Sequence, residues 1–533
     1  MKTLFVNVCL RHEAPHRFLP VGLGYVVTFV KEAGFDFDLL DIDIGKYSDK
    51  YVEKYLIENN YDVIAVGSIV THYKWIKWFI HTARKHNPGC KIIVGNSVGS
   101  SISEVLFTVT PVDVIIQGEG EITTVEVLHA ISNGKSLGVA KEPLTEIPHN
   151  FGQEFPCSYE GIGIDGIVFR DSKNRIINTG RRRALKRIDD FPFPDWDIFD
   201  VDSYLKSHSA INWSTWRFKA EDGIVMPVST ARGCVFKCTF CHHIFKHDPY
   251  RHRSSENIIK EIKRNQKKWG VNIIEFWDDL SFHKIGPTEQ FLDALIEADL
   301  NIHFSCAIRT DLMGKDIDNK GNEIPYKKRL KVGEKFVEAG CLSVGYSLES
   351  GNDEILKTMN KRVEAKYFEE QVKICREAGI MTRTGLVIGY PEETPETIAE
   401  SMKMCEKLGI YPSTGFLLPL PETGMWDYAV ENGHITDTDR YLTEMTERQD
   451  MFLNMTKMSD KQMMNEVINW LKKLNDKFGN LDEKNLIKTG GYNKHSKHQL
   501  KKLRVDNKIM KIVEKNETTN ESLNYANQSG DMS

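Results

Sequence analysis

Short runs of aliphatic and β-branched residues alternate with helical segments twice along the chain, and this alternation restricts the possible folds more than any other feature of the sequence. In the first 135 residues the strand-like runs are 3–10, 35–43, 61–70, 90–97 and 112–121. Nearly continuous apolar runs are typical of parallel strands that helices cover on both faces. We therefore expect a doubly wound, Rossmann-like (flavodoxin-like) α/β domain over residues 1–135.

A second alternation begins at residue 223. Its strand candidates are 224–230, 272–277, 302–308, 342–348, 382–389 and 413–419. The helices between them have recognisable ends: in "TPETIAESMKMCEKLG", Thr394 can cap the helix, Pro395 fits its first position and Gly409 ends it. Six βα units in a row predict a partial (β/α)6 barrel of the TIM type over residues 223–435, with its functional groups at the C-terminal ends of the strands.

The remaining segments carry weaker patterns. Residues 136–222 are predicted to be a linker with a small hairpin around "GIVFRDSKNRIINTG". The basic run "RRRALKR" (181–187) within them is predicted to be a solvated face, with phosphate binding as the alternative. Residues 436–513 are expected to be a helical C-terminal region. The polar stretch 514–533 is expected to be a disordered tail.

Composition and charge exclude several classes of partner. Over 533 residues, 70 basic and 75 acidic side chains leave a net charge of -5, which gives no electrostatic basis for binding nucleic acid or a membrane surface. No run approaches the roughly 18 apolar residues of a membrane span, and the N-terminus lacks a signal-peptide pattern. We expect a cytoplasmic protein with a small-molecule substrate, no nucleic-acid partner and no membrane span.

Three of the ten cysteines lie within eight positions, as Cys234, Cys238 and Cys241 directly after the first barrel strand. Zinc is one candidate metal, since His242 and His243 follow at once, but structural zinc sites close four ligands, usually as two separated pairs. Three thiolates on one loop suit a 4Fe-4S cluster in which one iron lacks a protein ligand. The other seven cysteines are scattered, which argues against a disulfide framework.

Glycine, serine and threonine concentrate at the predicted C-terminal ends of three strands in the first domain, in 67–72, 94–101 and 117–121. Ligands of doubly wound sheets bind at this edge. A single glycine there commonly serves only a tight turn, whereas three such loops together favour a ligand. No G-x-G-x-x-G follows the first strand, which disfavours a simple dinucleotide site.

The segment "TARGCVFKCTFC" (230–241) resembles the cluster loop of radical S-adenosylmethionine (SAM) enzymes. The resemblance implies that Cys234, Cys238 and Cys241 hold a 4Fe-4S cluster whose fourth iron is chelated by SAM. It also implies that Phe240, directly before the third cysteine, lies against the adenosyl group.

The later barrel strands extend this resemblance. Their ends read "EFWDDLSF", "CAIRTDL", "GYSLESGNDEIL" and "GLVIGYPEE". By likeness to the family, the SAM contacts implied at these ends are Asp278, Asp279, Arg309, Glu349, Ser350, Gly385, Gly389 and Glu392.

Residues 3–135 resemble the cobalamin-binding domain that precedes the barrel in class B radical SAM enzymes. The cobalamin contacts expected from this likeness are Gly67, Ser68, Thr71, Gly95, Ser97, Gly118, Glu119 and Gly120. The sequence has no Asp-x-His-x-x-Gly, so no histidine is assigned as lower cobalt ligand, and Gly95-Asn96 stands where a Gly-Gly pair is usual. We expect cobalamin with its base detached and its lower face covered by the loops after Val70 or Val94; the alternative is a domain that has lost the cofactor.

Together these resemblances imply a cobalamin-dependent radical SAM methyltransferase. It would use a 4Fe-4S cluster, SAM and cobalamin to methylate an unactivated carbon of a small-molecule or natural-product substrate, with an electron donor such as flavodoxin or ferredoxin. A cyclase or rearrangement enzyme with the same cofactors is the alternative. Methylthio transfer would need a second cysteine triad, which the sequence lacks, and a non-enzymatic sensor would not need the SAM contacts.

Overall fold

The computed structural model describes residues 1–12, 14, 17–143, 158–209, 223–318, 320–478 and 486–487. Parts of the predicted linker and of the C-terminal region, and the whole predicted tail 514–533, lie outside the described residues. The chain divides into two compact units. The first unit comprises Met1–Tyr204, Gly233–Arg251 and Leu418–Glu447, and the second comprises the described residues of 205–232, 252–417 and 448 onwards.

The strands are numbered in chain order. They are β1 (Thr3–Asn7), β2 (Asp38–Asp41), β3 (Val63–Gly67), β4 (Lys91–Gly95), β5 (Val114–Ile116), β6 (Gly138–Pro143), β7 (Ser158–Gly163), β8 (Ile167–Arg170), β9 (Ile176–Asn178), β10 (Val225–Val228), β11 (Ala231–Arg232), β12 (Arg251–His252), β13 (Ile273–Phe276), β14 (His303–Ala307), β15 (Cys341–Gly345), β16 (Met381–Arg383), β17 (Gly385–Ile388) and β18 (Ser413–Phe416).

The α-helices are numbered in the same way. They are α1 (Val21–Glu32), α2 (Ile42–Gly45), α3 (Asp49–Glu58), α4 (Tyr73–His86), α5 (Asn96–Ser101), α6 (Ser103–Val109), α7 (Glu121–Ser132), α8 (Val201–Ser209), α9 (Ser255–Trp269), α10 (Ile285–Glu297), α11 (Tyr326–Glu338), α12 (Asp353–Thr358), α13 (Ala365–Ala378), α14 (Pro395–Leu408), α15 (Gly424–Glu431), α16 (Thr438–Glu444) and α17 (Asp460–Phe478). One-turn 3-10 helices cover Val70–His72, Ile188–Asp190 and Trp196–Ile198.

The sheet of the first unit has the strand order β2-β1-β3-β4-β5-β8-β9-β7-β6. Strands β1 to β5 pair in parallel in the flavodoxin-like order, which confirms the predicted doubly wound fold. The predicted hairpin is present as β8 and β9, and β8 pairs antiparallel with β5. The hairpin therefore belongs to the sheet rather than to a linker, because its apolar residues cover the edge that β5 would otherwise expose.

The proline-rich segment after the hairpin also packs on the first unit. Tyr25 of α1 forms a buried cluster with Ile188 and Phe191, and the backbone N–H of Asp195 donates to the Thr28 hydroxyl at 2.8 Å. Trp196 is 1% exposed. The segment 189–200 contains no α-helix or strand, and it contributes to the core.

The second unit contains a parallel sheet in the order β10-β13-β14-β15-β16 and a separate parallel pair, β17-β18. These strands match the six predicted barrel strands in order, except that the fifth divides at Thr384 into β16, which pairs with β15, and β17, which pairs with β18. The C-terminal ends of β10, β13, β14 and β15 lie along one edge, where the barrel architecture carries its chemistry.

The two compact units interleave along the chain, and the domain boundaries expected at 135, 222 and 435 stay predictions. Ion pairs explain why part of the region after β18 belongs to the first unit: Lys77 of α4 lies 2.7 Å from Asp439 of α16. In the second unit, Lys473 of α17 lies 3.0 Å from Glu406 of α14. Among the described helices, none combines the length and the apolar composition that a bilayer crossing requires.

The packing of α1 against Trp196 yields a stability prediction. A Cβ atom added to Gly24 would lie 2.7 Å from Cζ3 of the buried Trp196 ring, whereas one added to Gly22 of the same helix would meet nothing within 4 Å. Gly24→Ala should lower the free energy of unfolding by about 1–3 kcal/mol through overpacking. Gly22→Ala should leave it unchanged or raise it by up to about 1 kcal/mol. Urea unfolding of both variants measures the difference, and equal stabilities would contradict this packing.

Candidate functional site

The three clustered cysteines lie on one loop of the first unit, and each is half-buried, whereas the other described cysteines are fully buried. Gly233 takes a φ of 82° as the chain enters the loop. The backbone N–H of Cys241 donates to the carbonyl of Cys238 at 3.2 Å, which turns the loop back on itself. Phe240 is also half-buried on this loop. Three accessible thiols on a short turn match the predicted metal-binding loop.

The donor set of the loop is three soft thiolates, which suit the irons of a 4Fe-4S cluster. Within the part of the chain that the structure describes, no three His, Cys, Asp or Glu side chains are grouped so that they could hold a single metal ion. His242, which the zinc alternative would use, has Nε2 2.9 Å from the Ser101 hydroxyl.

A buried ion pair joins the start of β12 to the loop after β5, and so fixes the end of the cysteine loop, which is the segment 233–250 between β11 and β12. Arg251 donates to both carboxylate oxygens of Glu119, at 3.0 and 2.8 Å, and the two side chains are 5% and 10% exposed. Such a bidentate pair is geometrically specific and strongly held. Both oxygens of Glu119 therefore accept from arginine, and the cobalamin contact expected at Glu119 stays a prediction.

The basic run 181–187 also contributes to the first unit instead of forming only a solvated face. Arg181 donates to the Ile244 carbonyl and to Asp248, both at 3.2 Å. Arg182 donates to the Thr123 hydroxyl at 2.9 Å and pairs with Glu126. The prediction of a solvated face was wrong for these two arginines, because their partners lie more than fifty residues away and leave no local pattern.

The turn before α15 holds the cysteine loop from another side. The backbone N–H of Met425 donates to the Thr239 carbonyl at 3.0 Å. Lys246 donates to the backbone carbonyl of Glu422, and burial lowers the pKa of the Lys246 ammonium group. Glu422 itself has a φ of 66°. Sequence reasoning missed these residues because "PLPETG" reads only as a turn.

The predicted cobalamin loops lie at the C-terminal ends of neighbouring strands β3, β4 and β5. Gly67 pairs in register with Gly95, and a Cβ atom on Gly67 would lie 3.3 Å from the Gly95 backbone. A Cβ atom on Gly95 would meet nothing within 4 Å. Ser97 Oγ accepts the Val70 N–H at 2.9 Å, which joins the loops after β3 and β4. Gly95 thus borders open space at the edge where ligands bind, whereas Gly67 packs against its backbone.

Asn96 explains the departure from the usual Gly-Gly pair. Its φ is 62°, in the left-handed region that glycine adopts freely and that asparagine tolerates best among the other residues. Its side-chain oxygen also accepts the Ser97 N–H at 2.6 Å. The sequence change therefore keeps the backbone turn. Gly118 and Gly120 flank Glu119 after β5, with Gly118 at a φ of 73°.

Two buried polar atoms in the loop after β3 have no hydrogen-bond partner among the described residues. They are Ser68 Oγ and His72 Nδ1, and Thr71 lies between them in the same loop. Burial lowers the pKa of His72 to about 4, so its ring is neutral near pH 7. Unsatisfied buried groups are rare in native proteins. Their position fits a polar ligand such as cobalamin.

The second unit carries the predicted SAM contacts. Asp278 and Asp279 follow β13, Arg309 follows β14, Glu349 and Ser350 follow β15, Gly385 begins β17, and Gly389 and Glu392 follow it. The parallel strands bring the ends of β13, β14 and β15 to one edge of the sheet.

Asp278 holds the end of β10 through several hydrogen bonds. Its carboxylate accepts from the backbone N–H groups of Thr230 and Ala231, at 2.9 and 3.0 Å, and from the hydroxyls of Ser229, Thr230 and Ser281. Burial raises its pKa while these donors lower it. This geometry makes Asp278 a positioning residue for the segment 229–231, which leads to the cysteines. Asp279, its neighbour, is exposed.

Arg309, Glu349 and Ser350 are largely buried. Arg309 pairs with Asp311 and donates to the Arg362 carbonyl at 2.7 Å. Glu349 has a φ of 63° and accepts from Lys361 at 2.9 Å; backbone strain of this kind is concentrated at functional sites. Ser350 is fully buried, with its hydroxyl 3.4 Å from that of Ser401, so it supports the loop from inside.

The acidic pair after β17 divides into one exposed and one buried residue. Glu392 is exposed, whereas Glu393 is 2% exposed and accepts the Gly389 N–H at 2.6 Å. Gly389 has a φ of 111°, which glycine supplies without strain. The spacing in "GYPEE" pointed to Glu392, but the residue that organises this turn is Glu393, and two adjacent glutamates cannot be told apart by spacing.

Two protein families match successive parts of the chain. The B12 binding domain matches residues 8–128, and the radical SAM superfamily matches residues 228–405. An uncharacterized methyltransferase of Pyrococcus horikoshii is 24% identical over 424 residues, which are 78% of this chain and 79% of that protein. An anaerobic magnesium-protoporphyrin IX monomethyl ester cyclase of Rubrivivax gelatinosus is 21% identical over 407 residues, which are 75% of this chain and 65% of that protein.

Solved structures share the fold. The radical SAM methyltransferase TsrM from Kitasatospora setae, solved with cobalamin and a [4Fe-4S] cluster, superposes with a TM-score of 0.56 at 16% identity and covers 81% of this chain and 78% of its own. The cobalamin-dependent SAM radical enzyme OxsB, solved with aqua-cobalamin and SAM, superposes with a TM-score of 0.60 at 17% identity and covers 90% of this chain and 63% of its own.

The buried Glu393 gives a pH prediction. Burial raises the pKa of Glu393 from 4.5 to about 7. Between these two values the folded protein keeps a proton that the unfolded chain loses. The neutral carboxyl therefore stabilises the fold at low pH, and this stabilisation is lost as the pH rises from about 4.5 through 7. Between about pH 5 and 8, the free energy of unfolding of the unmodified protein should therefore fall by about 1–3 kcal/mol more than that of Glu393→Gln, whose side chain cannot ionise. Glu392→Gln, the exposed neighbour, should behave as the unmodified protein. Parallel pH profiles for the two variants would contradict this.

Proposed function

The chain belongs to the class B radical SAM enzymes, with a B12-binding domain ahead of the radical SAM domain, and on this premise we propose that it methylates an unactivated carbon of a small-molecule or natural-product substrate. Its cofactors are a 4Fe-4S cluster, SAM and cobalamin. The proposal rests on one observation in the first unit. The ion pair of Arg251 and Glu119 joins the half-buried cysteine loop to the sheet edge that carries the Gly-, Ser- and Thr-rich loops after β3, β4 and β5.

The proposal gives the residues of the first unit two binding roles. Cys234, Cys238 and Cys241 hold the cluster, and Phe240 contacts the adenosyl group of SAM. Cobalamin lies on the loops after β3, β4 and β5, where the open space over Gly95 and the unpartnered Ser68 hydroxyl support its placement. When bound, the cluster and SAM supply a carbon radical and cobalamin supplies a methyl group; the protein binds them, orients them and excludes water.

In the second unit, SAM is bound at the strand ends. Asp279, Arg309 and Glu349 supply charge for its amino and carboxylate groups. The turn of Gly389 meets the adenine end, and the buried Glu393 carboxyl fixes that turn through the Gly389 N–H. Asp278 and Ser350 act behind these groups as supports.

The proposal includes an electron donor such as flavodoxin or ferredoxin, because cleavage of SAM by the cluster consumes an electron. It also includes a cytoplasmic location, since the scattered described cysteines are free thiols, which persist in reducing compartments; they are Cys9, Cys90, Cys306, Cys341, Cys375 and Cys405. The alternative function is a cyclase or rearrangement without net methyl transfer, which the cyclase from Rubrivivax gelatinosus favours.

A substrate-free experiment separates the two functions. Anaerobically reconstituted protein is given SAM and titanium(III) citrate, and S-adenosylhomocysteine and 5′-deoxyadenosine are measured. A methyltransferase should release a rapid burst of S-adenosylhomocysteine equal to its bound cobalamin, because each cobalamin accepts one methyl group when there is no substrate. A cyclase should release deoxyadenosine without that burst, and this outcome would contradict methyl transfer.

The cluster assignment predicts the effect of losing one thiolate. Cys238→Ala should bind far less iron than the unmodified protein, which should hold about four irons on this loop, and should lose SAM cleavage. Cys405→Ala, which removes a fully buried core thiol in α14, should keep both. Iron analysis and deoxyadenosine formation are the measurements, and SAM cleavage by Cys238→Ala would disprove the assignment.

The open space over Gly95 predicts a selective loss of cobalamin. Gly95→Val should weaken cobalamin binding at least about tenfold, because the added side chain would occupy space needed by the cofactor. Gly89→Val is the matched control, since a Cβ atom there also meets nothing within 4 Å but Gly89 precedes the opposite end of β4. Cobalamin absorption and iron content of both variants give the result. Equal cobalamin binding would place the cofactor elsewhere.

A further inference from the structure

Ser101, His242 and Glu422 form a hydrogen-bonded chain inside the first unit that the cofactor contacts do not use. The Ser101 hydroxyl lies 2.9 Å from Nε2 of His242 and 3.0 Å from Oε2 of Glu422. Ser101 is 1% exposed, and the Glu422 side chain is 7% exposed. A buried polar chain of this kind is specific in geometry, because loss of one member removes a hydrogen bond from each neighbour in the chain.

The chain has a definite direction. A serine hydroxyl has one proton to donate, and a carboxylate oxygen only accepts. Ser101 therefore donates to Glu422, and His242 donates from Nε2 to the Ser101 oxygen. A nucleophilic triad needs the opposite arrangement, in which the histidine accepts the serine proton. The direction of the chain thus assigns these residues a structural task instead of nucleophilic chemistry.

The positions of the three residues show what they connect. His242 directly follows Cys241, the third cysteine. Ser101 ends α5, and that helix begins at Asn96 in the loop after β4, the proposed cobalamin loop. Glu422 lies in the turn that also holds the cysteine loop through Lys246 and through the hydrogen bond from Met425 to Thr239. One hydroxyl therefore ties the cluster loop to the helix that leaves the cobalamin loop.

We propose that Ser101 and His242 are positioning residues that set the distance and orientation between the 4Fe-4S cluster and cobalamin, with Glu422 as their anchor. The inference rests on the proposed cofactor sites and adds to them a coupling within this chain. A small change at His242 is passed directly to Cys241 through the backbone. Breaking this hydrogen-bonded chain should therefore slow steps that need both cofactors more than steps that need the cluster alone.

The test measures the magnetic coupling between the two cofactors. Holoprotein loaded with cob(II)alamin and a one-electron-reduced cluster has two unpaired spins, whose dipolar splitting in the EPR spectrum depends on their separation and orientation. His242→Leu removes the donor, whereas His242→Gln keeps an N–H donor on a side chain of similar reach. Ser101→Ala removes the same bond from the other side, and His243→Leu is the control in the same loop.

His242→Leu and Ser101→Ala should change the splitting and slow the S-adenosylhomocysteine burst about tenfold, the loss expected for one strong hydrogen bond. His242→Gln and His243→Leu should match the unmodified protein. If His242→Leu fails to take up its cluster, Ser101→Ala carries the test, since it changes no residue of the cysteine loop.

Unchanged splitting and an unchanged burst in fully loaded Ser101→Ala would overturn the positioning role while leaving the proposed function intact. Failure of the unmodified protein to bind cobalamin would instead contradict the proposed function, together with the coupling that rests on it.

Discussion

The arrangement of the first unit depends on the buried ion pair between Arg251 and Glu119. Removing two charges from water is costly, and the cost is recovered only when the geometry is good, as in the bidentate contact seen here. Loss of one partner would leave the other charge buried and unpaired. The pair thus favours strongly the state in which the cysteine loop lies on the strand-end loop after β5. The contacts of Arg181, Ser101 and Met425 hold the same loop at other points.

The fold was largely predictable because its determinants are local. Apolar runs of strand length, helices with clear caps such as Thr394 and Gly409, and the hairpin of β8 and β9 all leave patterns within a few residues. What was missed depends on distant partners. Arg251 and Glu119 are 132 residues apart, and Trp196 packs on an α1 glycine far from it in sequence. Nothing near those residues marks them as partners, so the segment after the hairpin read as a linker.

The candidate site shows the same division. Three cysteines in eight positions were recognisable at once, because a cluster loop supplies its ligands from adjacent residues. The strand-end residues could be placed from the sequence, but not their local contacts. Asp278 accepts from backbone N–H groups that follow β10, and the exposed Glu392 stands beside the buried Glu393. Asn96 looked like a departure in sequence, yet its backbone takes the left-handed conformation that a glycine would supply. The residue types at the strand ends indicate which ligands they could bind, but the burial of each side chain decides which of two neighbouring acids is available to a ligand.

The central claim is that one chain holds a 4Fe-4S cluster and cobalamin together, with the cluster loop and the cobalamin loops in a single compact unit. Native mass spectrometry of anaerobically reconstituted protein tests this most directly. The account predicts one dominant species whose mass exceeds that of the bare chain by one 4Fe-4S cluster and one cobalamin. Species that carry either the cluster or cobalamin, but never both, would contradict it.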